Sequence, residues 1–155
     1  MRTRENLAWA AGLFEGEGCI NGYVSKDGMR GIQLSLNMRD FDAVVQFRDV
    51  IGFGHLYEKP PGKPHWSPQL QWHVGTFEHA QAVIAMLWPW LCARRRATAA
   101  RVLGAYRAAV TKRDQSRVRR GAIADALRRG GLTQRAIARQ FGVSEPTVSR
   151  VRSQL

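Results

Sequence analysis

The sequence has few acidic residues, little cysteine and no long hydrophobic run. Its 155 residues include 12 Asp and Glu against 24 Lys and Arg, which gives a formal net charge of +12. Its two cysteines, Cys19 and Cys92, form no Cys-x-x-Cys pair, so we expect a reducing compartment and no disulfide framework. No apolar run reaches the ~20 residues of a membrane helix, and the run after MRTREN is short and ends at Glu15, which argues against a signal peptide. We therefore expect no membrane partner.

The basic surplus indicates a polyanionic partner, most simply a nucleic acid. Residues 1–113 carry 15 basic and 9 acidic groups, and residues 114–155 carry 9 and 3. Both parts are therefore expected to contact the polyanion. The sequence has no glycine-rich phosphate loop and no nucleophile elbow, so we expect no small-molecule substrate. We expect a cytoplasmic, nucleoid-associated protein and a prokaryote or phage as its source.

Two regions differ in their patterns. Residues 1–112 mix helix and strand signals, whereas residues 118–155 contain helix signals alone. The polar stretch TKRDQS lies between them, and we place a linker at residues 113–117. The first region has the predicted order αββαββαα, an α+β fold. Its predicted helices are 5–15, 41–51, 77–87 and 91–110, and its predicted strands are 20–25, 30–38, 55–59 and 69–74.

The strands alternate between an apolar face and a polar, nearly uncharged face. Amide, hydroxyl and imidazole groups of this kind read base edges, whereas Lys and Arg mostly contact phosphates. The alternative is an ordinary solvated face, which would carry more Lys and Glu. We predict DNA contacts from Arg30 and Arg96 and from the polar row Asn21, Tyr23, Ser25, Gln33, Ser35, Asn37, His55, Tyr57, Lys59, Gln69, Gln71 and His73.

The first helix carries Gly12 and Gly16 four residues apart, so both lie on one face. Glycine destabilises a helix by about 1 kcal/mol relative to alanine, and close pairing with a second helix would offset this. We therefore predict a dimer interface of Ala8, Gly12, Leu13 and Gly16. In such a dimer Glu17 would meet its partner's carboxylate, and Mg²⁺ between them would remove the repulsion.

The stretch AAGLFEGEG, 10–18, resembles the signature of the LAGLIDADG homing endonucleases. GFGHLY, 52–57, and LWPWLCARRRA, 87–97, are similar to further segments of that family, and the predicted element order is the family's. The resemblance implies a four-stranded antiparallel saddle-shaped sheet with helices on one face. It also implies a homodimer that cuts a near-palindromic site in double-stranded DNA by hydrolysis with Mg²⁺ or Mn²⁺.

The family's site residues transfer to this sequence one by one. Glu17 corresponds to the acid that binds the metal, and the carbonyl of Gly18 is a further candidate ligand. Arg94 falls where the family usually has a catalytic Lys, and Arg39, or else Asp40, lies near a polar residue of the same water network. An arginine cannot act as a base at neutral pH, so cleavage could be slow or absent. Glu15 is expected to serve the helix end.

The stretch LTQRAIARQFGVSEPTVSRVRSQL, 132–155, indicates a helix-turn-helix in which Thr133 and Ser144 cap two helices and Gly142 makes the turn. Ile137, Ala138, Val148 and Val151 form its expected core, and residues 118–129 supply a third helix. The predicted DNA-reading residues are Glu145, Thr147, Ser149 and Arg150. A packing or dimerisation module is the alternative.

Three functions remain open from the sequence. The first is a site-specific DNA endonuclease of the homing type, encoded by a mobile element. The second is a sequence-specific DNA-binding regulator on the same scaffold that does not cut. The third is an intron maturase that binds RNA, which the helix-turn-helix disfavours because that motif reads duplex DNA.

Overall fold

A computed structural model describes residues 3–63 and 65–155. The chain divides into two compact units, one up to Arg107 and the other Ala108–Leu155. In the described ranges no helix is both long enough and apolar enough to cross a membrane.

The first unit has the predicted α+β order. Its elements are α1 (Arg4–Glu17), β1 (Gly18–Val24), β2 (Arg30–Met38), α2 (Phe41–Ile51), β3 (His55–Lys59), β4 (Gln69–Val74), α3 (Phe77–Leu87), a 3₁₀ turn (Trp88–Trp90) and the beginning of α4 (Ala93–Arg129). Side chains of Thr3, Asp40 and Thr76 accept hydrogen bonds from the first turns of α1, α2 and α3. These caps explain where the three helices begin.

The four strands form one antiparallel sheet in the order β1-β2-β4-β3. Leu34 of β2 pairs with Ile20 of β1 and Val74 of β4, and all three are buried. Because neighbouring residues along a strand face opposite sides, this register gives the sheet one apolar face against the helices. Its other face is polar, as the alternation predicted.

The core of this unit lies between the sheet and its helices. Phe14 of α1, Phe47 of α2 and Trp72 of β4 are fully buried, with ring centroids 6.1 Å apart for the two phenylalanines and 4.9 Å apart for Phe47 and Trp72. The indole of Trp72 donates to the carbonyl of Phe53 at 2.9 Å. Gly54 has φ +107°, and a Cβ there would collide with the same indole, so the approach to β3 requires glycine.

The predicted linker at residues 113–117 is helical, because α4 is assigned without interruption from Ala93 to Arg129. Its sequence explains this, since Lys, Arg and Gln favour helices and the chain has no proline between Pro89 and α5. β1 also begins and ends earlier than expected, so Ser25 lies beyond the strand. Its hydroxyl accepts from the amide of Met29 at 3.2 Å, within the hairpin turn.

The second unit packs the end of α4 against α5 (Gln134–Phe141) and α6 (Glu145–Arg152). Ile123, Ile137, Ala138, Val148 and Val151 are its buried residues. The helix-turn-helix prediction is confirmed in its turn and core: Gly142 has φ +60° and ends α5 in the left-handed region. Thr133 caps α5 as predicted. Ser144 precedes α6 but makes no capping bond, and its hydroxyl instead lies 2.9 Å from that of Thr147.

Candidate nuclease site and nucleic-acid interface

Three elements meet at Gly18: the end of α1, the beginning of β1 and the first turn of α4. This residue ends the helix with extended backbone, φ −77° and ψ 149°, and its amide donates to the carbonyl of Phe14. A Cβ at Gly18 would lie 2.3 Å from the Phe14 ring and 2.5 Å from that carbonyl oxygen. Glycine is therefore required by packing rather than by backbone conformation. The consequence is a tight junction that leaves Glu17 as the last helical residue.

Glu15 is held in place by the beginning of α4. Its Oε1 accepts from the backbone amide of Cys92 at 2.8 Å, and its Oε2 lies 3.9 Å from Nε of Arg95. The guanidinium of Arg95 also donates to the carbonyl of Glu15 at 2.7 Å and to the carbonyl of Gly18 at 2.8 Å. Arg95 thus joins both sides of the junction between α1 and β1.

These contacts also affect the ionisation of Glu15. Partial burial by itself raises the pKa of this carboxyl, but the hydrogen bond from Cys92 and the charges of Arg95 and Arg94 outweigh it, so that the pKa is lowered. The carboxylate form is therefore the one that the folded unit stabilises. This supports the structural role expected for Glu15.

Glu17 has the opposite surroundings. Its side chain is exposed, and it makes no hydrogen bond or ion pair with any residue in the described ranges. The two glutamates are two residues apart on the same helix. Glu15 has protein partners, whereas Glu17 has none among the described residues. A free carboxylate at a helix end suits a hard divalent cation, which takes oxygen ligands.

Arg95 was not singled out by the sequence, yet it is the arginine that contacts the motif. Arg94, the predicted catalytic residue, is exposed and its charge acts on Glu15. Arg96, predicted to bind DNA, donates instead to the carbonyls of Trp88 and Pro89 at 3.1 Å each and lies 5.5 Å from the Trp88 ring centroid. Its contacts stabilise the 3₁₀ turn.

The remaining predicted members of the water network lie between β2 and α2. Arg39 is exposed. Asp40 accepts from the amide of Ala43 at 3.1 Å and caps α2. That capping role disfavours Asp40, and Arg39 stays the candidate.

Within the described part of the chain, Glu17 is not in a cluster of metal-ligating side chains. Among the described residues, no group of three or more His, Cys, Asp or Glu side chains is placed to hold a metal ion. The Gly18 carbonyl already accepts from Arg95, whose positive charge opposes a cation at that oxygen, so Gly18 is disfavoured as a ligand. Glu17 offers one carboxylate, so Mg²⁺ or Mn²⁺ at this position would require further oxygen donors.

The outer face of the sheet carries the predicted polar row. The register aligns Ser35 with His73 and then His55, and it aligns Asn37 with Gln71 and then Tyr57. Further polar residues share this face: Asn21, Tyr23, Gln33, Lys59 and Gln69. Ser25 lies in the hairpin turn.

Two strand residues lie outside the predicted polar row. Arg30, which was predicted as a separate DNA contact, shares the face of Ile32, which is the helix side. Cys19 pairs with Ser35 on the outer face and is exposed. Sequence reasoning missed Cys19 because it began β1 two residues late.

The exposed side of α1 contains the two glycines of the predicted interface. A Cβ at Gly12 or at Gly16 would meet nothing within 4 Å in the protomer. Trp9, which was not among the predicted interface residues, lies on the same side with 36% of its surface exposed. Ala8 and Leu13 are half-buried, and Leu13 also packs against the core.

The predicted DNA-reading residues of the second unit lie along α6. Ser149 and Arg150 are exposed. Glu145 lies 3.8 Å from Nε of Arg135, and Thr147 is half-buried beside Ser144. Of the four, Ser149 and Arg150 are therefore the two whose side chains are exposed and make no side-chain contact described above.

Known structures share this architecture. The homing endonuclease I-CvuI in complex with its target matches with a TM-score of 0.59 at 18% identity, covering 97% of this chain and 94% of that chain. The group I intron-encoded homing endonuclease I-CeuI complexed with DNA matches with 0.59 at 15%, covering 79% and 63%. The LAGLIDADG meganuclease I-AabMI bound to uncleaved DNA matches with 0.55 at 18%, covering 76% and 42%.

The first unit therefore has the fold of the LAGLIDADG homing endonucleases. Residues 114–155 match the family model of a homeodomain-like domain, HTH_23. The chain thus combines a LAGLIDADG fold, as the sequence predicted, with a homeodomain-like helical domain where the sequence predicted a helix-turn-helix. None of the curated protein sequences is similar enough to this chain to match it.

Proposed function

We propose that this protein is a site-specific double-strand DNA endonuclease of the homing type, carried by a mobile genetic element. Two copies pair through the exposed side of α1 and cut a near-palindromic site by metal-dependent phosphodiester hydrolysis. The closed symmetry of a two-fold dimer accounts for the symmetry of the target.

One observation carries this proposal: Glu17 is exposed and unpaired among the described residues, whereas Glu15 is fixed by Cys92 and Arg95. An exposed carboxylate without a protein partner is available to bind a metal ion, whereas the Glu15 carboxylate would first have to leave Cys92 and Arg95. Gly12 and Gly16 support the second half of the proposal, because open space beside both glycines permits close approach of another helix.

Each residue of the site has a part in the reaction. Glu17 from each protomer, with a scissile phosphate, would hold Mg²⁺ or Mn²⁺. When bound, the cation would make water a stronger nucleophile and stabilise charge on the leaving oxygen. Arg94 stabilises negative charge at phosphorus without acting as a base, and Arg39 orients water. Arg95 positions the helix end from which Glu17 projects.

The polar face of the sheet and α6 would recognise the DNA. Amide and imidazole groups on β2, β3 and β4 supply hydrogen bonds to base edges. The homeodomain-like unit adds affinity through a second, tethered contact and lengthens the recognised sequence. The basic surplus of both units attracts the phosphate backbone.

The test is a cleavage assay on a library of candidate sites in supercoiled DNA with Mg²⁺, in which wild type is compared with Glu17→Gln. Double-strand cuts by the wild type and none by the variant are expected, with binding retained by both. Binding by both proteins and cutting by neither would reject the nuclease in favour of the non-cleaving regulator. RNA binding in place of duplex binding would favour the maturase.

A further inference from the structure

A small pocket lies on the helix side of the sheet, beside the turn that joins β1 to β2. Glu17 is at the opposite end of β1. Its volume is about 50 Å³, and its lining includes Gly22, Tyr23, Arg30, Arg101, Val102 and Tyr106. A Cβ at Gly22 would lie 3.1 Å from Val102, which shows how closely α4 packs on β1 here. The pocket belongs wholly to the first unit.

The two arginines in this pocket have no counter-charge. No acidic residue lines the cavity, and within the described ranges neither guanidinium makes an ion pair or a hydrogen bond. Arg95 and Arg96 of the same unit do have such partners. Two like charges near one cavity repel, and a bound anion would remove that repulsion.

The two tyrosines of the lining have their rings on different sides of the sheet. The Tyr106 ring stacks on Phe77 with centroids 4.7 Å apart. The Tyr23 ring covers Gly31 on the outer face of the sheet, so its hydroxyl is not a donor in the pocket. A phenol hydroxyl donates hydrogen bonds, so Tyr106 adds a neutral donor to the two guanidinium forks. Planar forks of this kind match the oxygens of a phosphate.

We infer that this pocket binds a phosphate group through Arg30 and Arg101, with Tyr106 as a further donor. The phosphate can come from the backbone of a DNA duplex or from a free phosphate-bearing molecule. This site is separate from the polar row of the sheet, because Arg30 is on the opposite face. It assigns a function to Arg30 that differs from base-edge recognition.

The first arm of the test uses inorganic phosphate at constant ionic strength, with chloride as the reference anion. All five tryptophans lie between residues 9 and 90, so thermal unfolding followed by tryptophan fluorescence reports on the first unit. Phosphate is expected to raise the Tm of the wild type, because a ligand that binds the native state stabilises it. Arg101→Gln and Arg30→Gln should each lose most of this rise.

The control is Arg48→Gln, which makes the same charge change at a side chain that is 41% exposed and pairs with Asp49. This control should keep the full rise. An equal rise in Arg101→Gln, Arg30→Gln and the control would overturn the proposal, as would no rise in the wild type. Circular dichroism of each variant confirms that it is folded before the comparison.

The second arm identifies the source of the phosphate and rests on the proposed function. If the pocket takes a backbone phosphate, Arg101→Gln weakens duplex binding about tenfold and lowers the slope of log K against log salt by about one. An unchanged slope, with the first arm positive, assigns the pocket to a free phosphate-bearing molecule. A chain that binds no duplex would fail the proposed function, while the first arm would still decide the pocket.

Discussion

Replacement of Gly18 by alanine tests how tightly the end of α1 is packed. The new Cβ would lie 2.3 and 2.5 Å from two ring atoms of Phe14 and 2.5 Å from the Phe14 carbonyl oxygen. The ring is 1% exposed and stacks on Phe47, so it has no free space to move into. The carbonyl accepts from the amide of Gly18 itself, so its displacement would weaken the end of the helix.

Overpacking of a well-ordered core costs about 1–3 kcal/mol, and the fixed carbonyl places Gly18→Ala in the upper part of that range. For a domain of about 100 residues, this lowers the Tm by roughly 10 °C. The assay is thermal and urea unfolding followed by tryptophan fluorescence, repeated at several protein concentrations to separate folding from association.

Gly16→Ala is the matched control. Its Cβ meets nothing within 4 Å in the protomer, and alanine favours a helix interior over glycine by about 1 kcal/mol. At protein concentrations where the chain is monomeric, we expect the free energy of unfolding to stay the same or rise. If Gly18→Ala unfolds at the same temperature as Gly16→Ala, the packing account of this junction is wrong.

Three further predictions concern pH, association and DNA recognition. Because the pKa of Glu15 is lowered in the folded unit, its contribution is present above the unfolded pKa of about 4.3 and is lost as the pH falls through the folded pKa. Urea unfolding of Glu15→Gln should therefore show a weaker loss of stability below about pH 4.5 than the wild type, and parallel curves would contradict this. Gly12→Leu should yield monomers in sedimentation equilibrium while the first unit stays folded, and an unchanged dimer would place the interface elsewhere. Arg150→Ala should reduce the preference for the target over unrelated duplex by about 1–3 kcal/mol in competition binding, whereas equal weakening on both would indicate a phosphate contact.

Much of the fold could be predicted because its signals are local. The alternation in β2 and β4 predicted which face of each strand is buried, and the structure has that pattern. The glycines at 52, 54 and 142 predicted helix ends and turns, and all three have positive φ. The continuity of α4 was missed because a polar stretch without periodicity resembles a linker even when its residues favour a helix. Residues 113–117 are flanked on both sides by helix-forming residues, and no proline interrupts them, so the helix continues through the stretch.

The motif could be recognised in the sequence, but the side chains that hold it in place could not. Arg94, Arg95 and Arg96 are consecutive, and each step along a helix turns the side chain by about 100°. The pattern alone therefore does not say which one contacts the motif. Arg95 contacts Gly18 and Glu15, which lie 77 and 80 residues earlier in the chain. Contacts this distant result from the packing of α4 on the sheet, which no local pattern encodes.

The central claim is that Glu17, and not Glu15, holds the metal for hydrolysis. The most direct measurement is the single-turnover rate of double-strand cleavage of a bound target in Mg²⁺, for wild type, Glu17→Gln and Glu15→Gln, with EDTA as the metal-free control. The account predicts no cleavage by Glu17→Gln despite normal duplex binding, and no cleavage by any protein in EDTA. It predicts cleavage by Glu15→Gln wherever that variant is folded. Cleavage by Glu17→Gln at the wild-type rate would contradict the account.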